Sequence, residues 1–295
     1  MYQARSSKST PPYLTQVLAN VPEVLREQIS DYLPKGDLVR GVFVIPPEVY
    51  SKGFRWELNP LQALVFTQFG ILQIFAPDHR HKKREAIWIE GKSVLLIKLK
   101  LVLLYGRLEI LAESDGNRNK ILSEYSTVAH KALSPYLKAL IQTTWTASVR
   151  NPANVSVPAF EDFVNISLSF YNGINLEALQ PGEMITAFAY QPELGKRILK
   201  LFRRKIFPKT LAVLTDRQLI LLQEDLKTKA HYEWLFTFIP RHRVMSIDRT
   251  SIKTNETIVL RLDSAGHDLD VPLIISAQAK SAWRIMLGFL PGGSC

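Results

Sequence analysis

The sequence predicts a mainly β protein of the α+β class, built from two tandem units that each contain seven strands and a C-terminal helix. Three observations lead to this expectation. Short runs of β-branched and aromatic residues alternate with turn sequences along most of the chain. Each half ends in one stretch whose apolar residues recur with the helical period of 3.6. The two halves also match each other at a spacing of about 150 residues.

The internal repeat begins at a turn motif, where residues 33–37 (Leu-Pro-Lys-Gly-Asp) correspond to residues 179–183 (Leu-Gln-Pro-Gly-Glu). Further along, Ile89 matches Ile239 and Leu140 matches Leu290, and the order of the matches is preserved. Two unrelated stretches with similar strand patterns would also produce some of these matches. On the repeat interpretation, residues 1–12 are a flexible tail, residues 13–148 form the first unit with a helical leader, and residues 149–295 form the second unit with a linker and its own leader.

The elements of the second unit are predicted from its turn residues and from the period of its apolar residues. Strands are expected at 184–190, 211–214, 219–222, 234–239, 244–247, 257–262 and 267–271. Thr215, Asp216 and Arg217 suit a tight connection between two short strands. After Pro272 the apolar residues follow the helical period, which predicts one C-terminal helix that includes Trp283.

The first unit shows the same order. Strands are expected at 37–44, 61–67, 71–75, 85–89, 93–103, 106–112 and near Lys120, followed by a helix at 124–145. Pro135 lies inside that helix and is expected to kink or split it. An amphipathic leader helix is predicted at 17–33, with Pro22 in its first turn. The second leader, at 160–179, is less regular.

Two stretches of the second unit carry a resemblance to pleckstrin-homology-like (PH-like) domains of the bacterial PH and GRAM type. Residues 212–220 resemble the hairpin between the second and third strands, and residues 238–247 resemble the approach to the fifth strand. Trp283 lies in the C-terminal helix, where many eukaryotic PH domains place a tryptophan. The first unit departs from the pattern, since it has Leu133 at the position of Trp283.

The resemblance covers roughly residues 35–145 and 180–290. It implies two tandem PH-like seven-stranded barrels, each capped by its C-terminal helix. PH-like domains include binders of phosphoinositides and of peptides, so the fold alone does not define a ligand.

The positive charge is concentrated in two clusters. The chain has 37 Lys and Arg against 27 Asp and Glu, a net charge of +10, which favours an acidic partner. The candidate anion-binding residues are Lys196, Arg197, Lys200, Arg203, Arg204, Lys205 and Lys209 in one cluster, and Arg80, Lys82, Lys83 and Arg84 in the other. In a PH-like domain both clusters occupy loops at the open end of a barrel, where lipid-binding members hold the headgroup.

Apolar residues alternate with the cations of the 194–210 loop. If this loop is helical, its cations and its apolar residues lie on separate faces, as in segments that bind at a membrane interface. Phe202 and Phe207 in this loop, and Phe54 and Trp56 in the matching loop of the first unit, are the candidate membrane-inserting residues. The alternative is that these aromatic residues pack against the core and the cations are simply solvated.

We therefore expect a non-enzymatic, cytoplasmic adaptor that binds anionic membranes or phospholipid headgroups. Two alternatives stay open: a protein-interaction scaffold without lipid binding, and a basic nucleic-acid-binding protein, for which no recognisable motif is present. We expect no metal, cofactor or small-molecule substrate, because no phosphate loop, nucleophile elbow or metal-ligand spacing occurs. His130 is expected at the surface or the core boundary, and Cys295 carries no predicted role. No stretch has the length and apolarity of a membrane span.

Overall fold

Strands outnumber helices throughout the computed structural model, which describes residues 11–52, 55–77, 86–145, 166–199, 202–224, 233–252, 255–263 and 269–291. The expectation of a mainly β protein of the α+β class is confirmed for these residues.

In the first half, the elements are β1 (Tyr13–Thr15), α1 (Glu23–Tyr32), β2 (Val39–Ile45), β3 (Glu48–Lys52), β4 (Arg55–Asn59), β5 (Gln62–Thr67), β6 (Gly70–Phe75), β7 (Ile87–Glu90), β8 (Val94–Val102), β9 (Tyr105–Ser114), β10 (Asn117–Tyr125) and α2 (His130–Thr143). Short 3-10 turns lie at Leu18–Asn20, Gly91–Ser93 and Thr127–Ala129.

In the second half, the elements are α3 (Leu168–Asn172), a π-helical turn (Gly173–Ala178), β11 (Ile185–Gln191), β12 (Leu194–Leu199), β13 (Phe202–Phe207), β14 (Thr210–Thr215), β15 (Gln218–Glu224), β16 (Glu233–Pro240), β17 (Val244–Ile252), β18 (Asn255–Leu262), β19 (Leu269–Ser276) and α4 (Lys280–Leu287). A 3-10 turn at Arg241–Arg243 precedes β17.

The two halves have the same order of elements at the spacing that the sequence indicates. The 3-10 turns Gly91–Ser93 and Arg241–Arg243 are 150 residues apart, as are the first residues of α2 and α4. Each half also has a two-stranded hairpin after its first repeated strand, β3–β4 and β12–β13. The helical reading of the 194–210 loop is therefore wrong. Its branched and aromatic residues favour extended backbone, and two such segments pair with each other.

Several predicted boundaries also need correction. The strand near Lys120 extends to Tyr125, so α2 begins at His130 rather than at residue 124. Pro135 lies within α2 without splitting it. β19 continues through Pro272, which the strand tolerates because it lies at the edge of its sheet.

The repeated turn motif adopts the same backbone conformation in both halves. Gly36 has φ +82° and Gly182 has φ +75°, and each is the third residue of a turn closed by a backbone hydrogen bond, from Asp37 N to Pro34 O and from Glu183 N to Gln180 O. Glycine adopts this left-handed conformation without the steric penalty of a Cβ atom. The motif therefore leads in the same way into the first repeated strand of each half, β2 and β11.

Each leader covers one face of the sheet that follows it. Leu25 and Ile29 of α1 are buried in a cluster that includes Val65 and Leu72 of β5 and β6. Phe170 of α3 and its π-helical turn join a cluster with the strands that correspond to β5 and β6, namely β14 and β15. Burial of these apolar side chains is the main favourable term that holds the leaders in place.

The strands form three larger sheets. Their orders are β1-β2-β5-β6-β7, β10-β9-β8-β16-β15-β14-β11 and β17-β18-β19. The seven-stranded sheet crosses from one half to the other, because β8 pairs antiparallel with β16 from Ile97 opposite Phe238 to Val102 opposite Glu233. Leu96 of the first half is accordingly buried with the core of the second half. The two halves thus share one continuous sheet.

Candidate functional site

At one end of the seven-stranded sheet lie turns and loops that connect strands of both halves. Because neighbouring strands are antiparallel, β8, β10, β11 and β15 finish at the same end where β9, β14 and β16 begin. Val102 of β8 lies opposite Glu233 of β16, and Thr210 of β14 lies opposite Gln191 of β11. We call this the hairpin end, because the chain passes through the β12–β13 hairpin between β11 and β14.

The β12–β13 hairpin, called here the basic hairpin, carries most of the larger predicted cluster. Lys196 and Arg197 lie on β12, and Arg203, Arg204 and Lys205 lie on β13. The register places Lys196 opposite Arg204 and Arg197 opposite Arg203. Like charges at directly opposite positions destabilise a pair of strands. The backbone register therefore sets two pairs of cationic residues directly opposite each other on the hairpin.

Two members of the larger cluster stand apart from this arrangement. Lys200 lies outside the described residues. Lys209 lies between β13 and β14, where its Nζ is 3.4 Å from Oε1 of Glu224. Both side chains of this ion pair are partly exposed, so the pair adds little stability. Lys209 is therefore partly neutralised within the protein.

The other predicted residues are placed less fully. Arg80, Lys82, Lys83, Arg84 and Phe54 lie outside the described residues. The backbone of Trp56 lies on β4, opposite Ser51. Phe202 and Phe207 lie on β13, opposite Leu199 and Leu194. The smaller basic cluster, residues 80–84, thus falls wholly outside the part of the chain that the structure describes.

A prominent apolar feature at the hairpin end was not predicted. Leu103 and Leu104 form the two-residue turn between β8 and β9, and their residue exposures are 74% and 68%. Val128, in the 3-10 turn that follows β10, is 72% exposed. Thr127 Oγ1 donates a hydrogen bond of 2.5 Å to the Leu103 carbonyl oxygen, which joins the two turns. The signal in the sequence is the leucine pair before Tyr105-Gly106, of which Leu103 falls inside the strand predicted at 93–103 and Leu104 between that strand and the next.

Acidic groups behind this turn are paired with neighbouring side chains. Tyr105 donates a 2.6 Å hydrogen bond to Glu124, and Glu109 contacts both Arg107 and Lys120 at 3.3 Å. Burial opposes ionisation of Glu109, but Lys120 and the other cations outweigh it and lower its pKa. Glu109 and Glu124 are therefore largely compensated.

His130 is buried at the junction of the halves, so its expected position at the surface or core boundary is wrong. Tyr125 Oη lies 3.0 Å from His130 Nδ1, and His130 Nε2 lies 3.1 Å from Glu177 Oε2. A neutral histidine satisfies both contacts by accepting from Tyr125 and donating to Glu177. The hydrogen bond from His130 lowers the pKa of Glu177, despite the opposing effect of burial. Its position at the start of α2 conceals this long-range role from sequence reasoning.

Comparisons with known proteins leave the family open: no family model matches the chain, and no curated protein matches it. Among the described residues, no helix is both long and apolar enough to cross a membrane. In the same part of the chain, no group of three or more His, Cys, Asp or Glu side chains is arranged to hold a metal ion.

Proposed function

We propose that this chain is a non-enzymatic adaptor that binds anionic membrane surfaces or phospholipid headgroups through the basic hairpin. The observation that carries the proposal is the register of β12 and β13, which sets Lys196 against Arg204 and Arg197 against Arg203 at one end of the shared sheet. Cations placed directly opposite each other on two paired strands destabilise the hairpin when no ligand is bound. Binding to an anionic surface compensates that cost.

The order of elements supports a PH-like architecture for each half. Omitting β1 and the two hairpins, seven strands precede a helix in each half, namely β2 and β5–β10 before α2, and β11 and β14–β19 before α4. In this architecture the basic hairpin replaces the loop between the first and second strands of the second unit. We propose that the protein acts at the cytoplasmic face of a membrane as a peripheral component.

Electrostatics supply the binding free energy in this proposal. Each Lys or Arg near an anionic bilayer contributes about 1 kcal/mol, and the attraction decays within a Debye length of about 8 Å at physiological salt. The five cations on the two hairpin strands are therefore sufficient for reversible binding without a deep pocket. The binding is expected to weaken steeply as salt is added.

The test is co-sedimentation with vesicles of phosphatidylcholine alone or of phosphatidylcholine with added anionic phosphatidylserine. Arg203→Glu combined with Arg204→Glu should weaken binding to the anionic vesicles at least about tenfold, since a tenfold change corresponds to about 1.4 kcal/mol. Lys35→Glu combined with Arg40→Glu is the matched control, because it changes the net charge equally at two exposed positions of the first half.

Three results would oppose the proposal. Equal sedimentation of the hairpin variant and the control variant would remove the basic hairpin as the contact. Binding of the wild type to duplex or single-stranded nucleic acid, but not to vesicles, would favour the nucleic-acid alternative. Binding to neither partner would favour the protein scaffold.

A further inference from the structure

We infer that the Leu103–Leu104 turn is an apolar anchor that enters the acyl region of the bilayer beside the basic hairpin. This inference rests on the proposed function, and it adds a contact from the opposite half of the chain. Two adjacent leucines at 74% and 68% exposure on the tip of a turn keep most of their apolar surface in water. Transfer of that surface into hydrocarbon is favourable.

The sheet topology places this turn close to the basic hairpin. From β8 to β14 the sheet has three strand spacings, through β16 and β15, and adjacent strands lie about 4.8 Å apart. The turn that follows β8 and the hairpin that precedes β14 are therefore separated along the sheet by roughly 14 Å. Both leave the same end of the sheet, so one patch of bilayer reaches both.

The turn is held in place before any membrane is present. Val102 and Tyr105 pair directly across it, and Thr127 Oγ1 donates to the Leu103 carbonyl oxygen. Exposed Val128 follows Thr127 in the adjoining 3-10 turn, with exposed Lys131 three residues further along. A preformed apolar tip loses little conformational entropy on insertion.

The chemistry around the tip favours a bilayer over a protein groove as its partner. An apolar tip beside cations matches the two layers of a membrane surface, with anionic headgroups outside and acyl chains beneath. The nearby carboxylate of Glu124 accepts a hydrogen bond from Tyr105, and Glu109 is paired with two cations. Repulsion from these acids is therefore reduced where the tip meets the headgroups.

The first test compares Leu103→Ser combined with Leu104→Ser against wild type, on phosphatidylcholine vesicles containing phosphatidylserine. We expect at least tenfold weaker binding at physiological salt, with an unchanged slope of affinity against salt because no charge is altered. Met184→Ser combined with Met245→Ser is the matched control, since both methionines are exposed and lie toward the opposite end of the shared sheet, before β11 and after β16. All four side chains are exposed, so the thermal midpoints should stay close to that of wild type.

The second test places an environment-sensitive NBD fluorophore at the tip. Leu104→Cys in a Cys295→Ser background provides the single labelling site, because Cys295 is the one cysteine of the chain. We expect a blue shift on anionic vesicles and quenching by lipids brominated on their acyl chains. The same label at Met184→Cys should remain solvent-like.

The outcomes separate this inference from the proposed function. Suppose that the wild type binds anionic vesicles, that the label at the tip stays solvent-like, and that the serine variant binds as tightly as wild type. These results together would overturn the anchor and leave the basic hairpin as the contact. A wild type that binds no vesicles would overturn both. Loss of binding in both the leucine and the methionine variants would also count against a local anchor.

Discussion

Glu183 is a half-buried carboxyl group in the turn before β11. Its Oε1 lies 2.5 Å from Thr215 Oγ1, and its Oε2 accepts hydrogen bonds from Gln180 N and Gln218 Nε2. Burial raises the pKa of Glu183, and neighbouring Asp216 adds to that increase. The folded protein therefore favours the protonated carboxyl more than the unfolded chain does.

Glu183→Gln should mimic the protonated side chain. Because folding raises this pKa, the contribution of Glu183 is complete below the ordinary carboxyl pKa and is lost as the pH rises through the folded-state value. We expect the variant to be at least as stable as wild type at pH 7, with a smaller decrease in stability between mildly acidic and neutral pH. Thermal unfolding across that range measures both effects. A variant that is much less stable at pH 7 and unchanged at low pH would show that the ionised carboxylate is favoured instead.

The basic hairpin is an element whose stability and proposed function oppose each other. Lys196→Glu replaces a like-charge pair with an opposite-charge pair across from Arg204. Cross-strand pairs of this kind contribute about 0.2–1 kcal/mol, so the hairpin amides should exchange hydrogen up to about fivefold more slowly. The same variant should bind anionic vesicles more weakly, by about tenfold or more, because a cation becomes an anion.

Lys35→Glu is the control for this pair of effects, because it makes the same change in net charge at an exposed turn of the first half. It should change neither the exchange of the hairpin amides nor, beyond a small amount, vesicle binding. Faster exchange in Lys196→Glu would contradict the register that places Lys196 against Arg204.

At the scale of the whole molecule, the two halves are joined by a shared sheet and a buried polar chain. β8 pairs with β16, and Tyr125, His130 and Glu177 connect β10 and α2 to the second leader. We expect one cooperative unfolding transition by calorimetry, with matching calorimetric and van't Hoff enthalpies. Two separate transitions in wild type would contradict this coupling.

Glu177→Ala should weaken the junction, because the donor group of buried His130 loses its acceptor. The expected cost is about 1–3 kcal/mol, and Glu27→Ala, at an exposed position of the first leader, should cost much less. The pKa of Glu177 is lowered on folding, so its contribution is present above the ordinary carboxyl pKa and is lost as the pH falls through the folded-state value. The difference between variant and wild type should therefore shrink in acid.

Local signals in the sequence were sufficient for the order of the elements. Period-2 and period-3.6 patterns, turn glycines such as Gly36 and Gly182, and the repeat itself depend on residues close together in the chain, so they indicated most of the strands and both C-terminal helices. The concentration of cations in residues 194–210 was equally plain. The conformation of this segment could not be predicted, because a mixture of cations and apolar residues is compatible with either a helix or a pair of strands until the strand pairing is known.

The sequence by itself determined that this protein is mainly β, repeated and basic in two places. Only the tertiary structure decided that β8 pairs with β16, that the Leu103–Leu104 turn therefore shares an end with the basic hairpin, and that His130 is buried. The physical reason is distance along the chain. Ile97 and Phe238 come together because the edge of one sheet accepts the hydrogen bonds of a strand far away in sequence, and no local pattern specifies which edge that is.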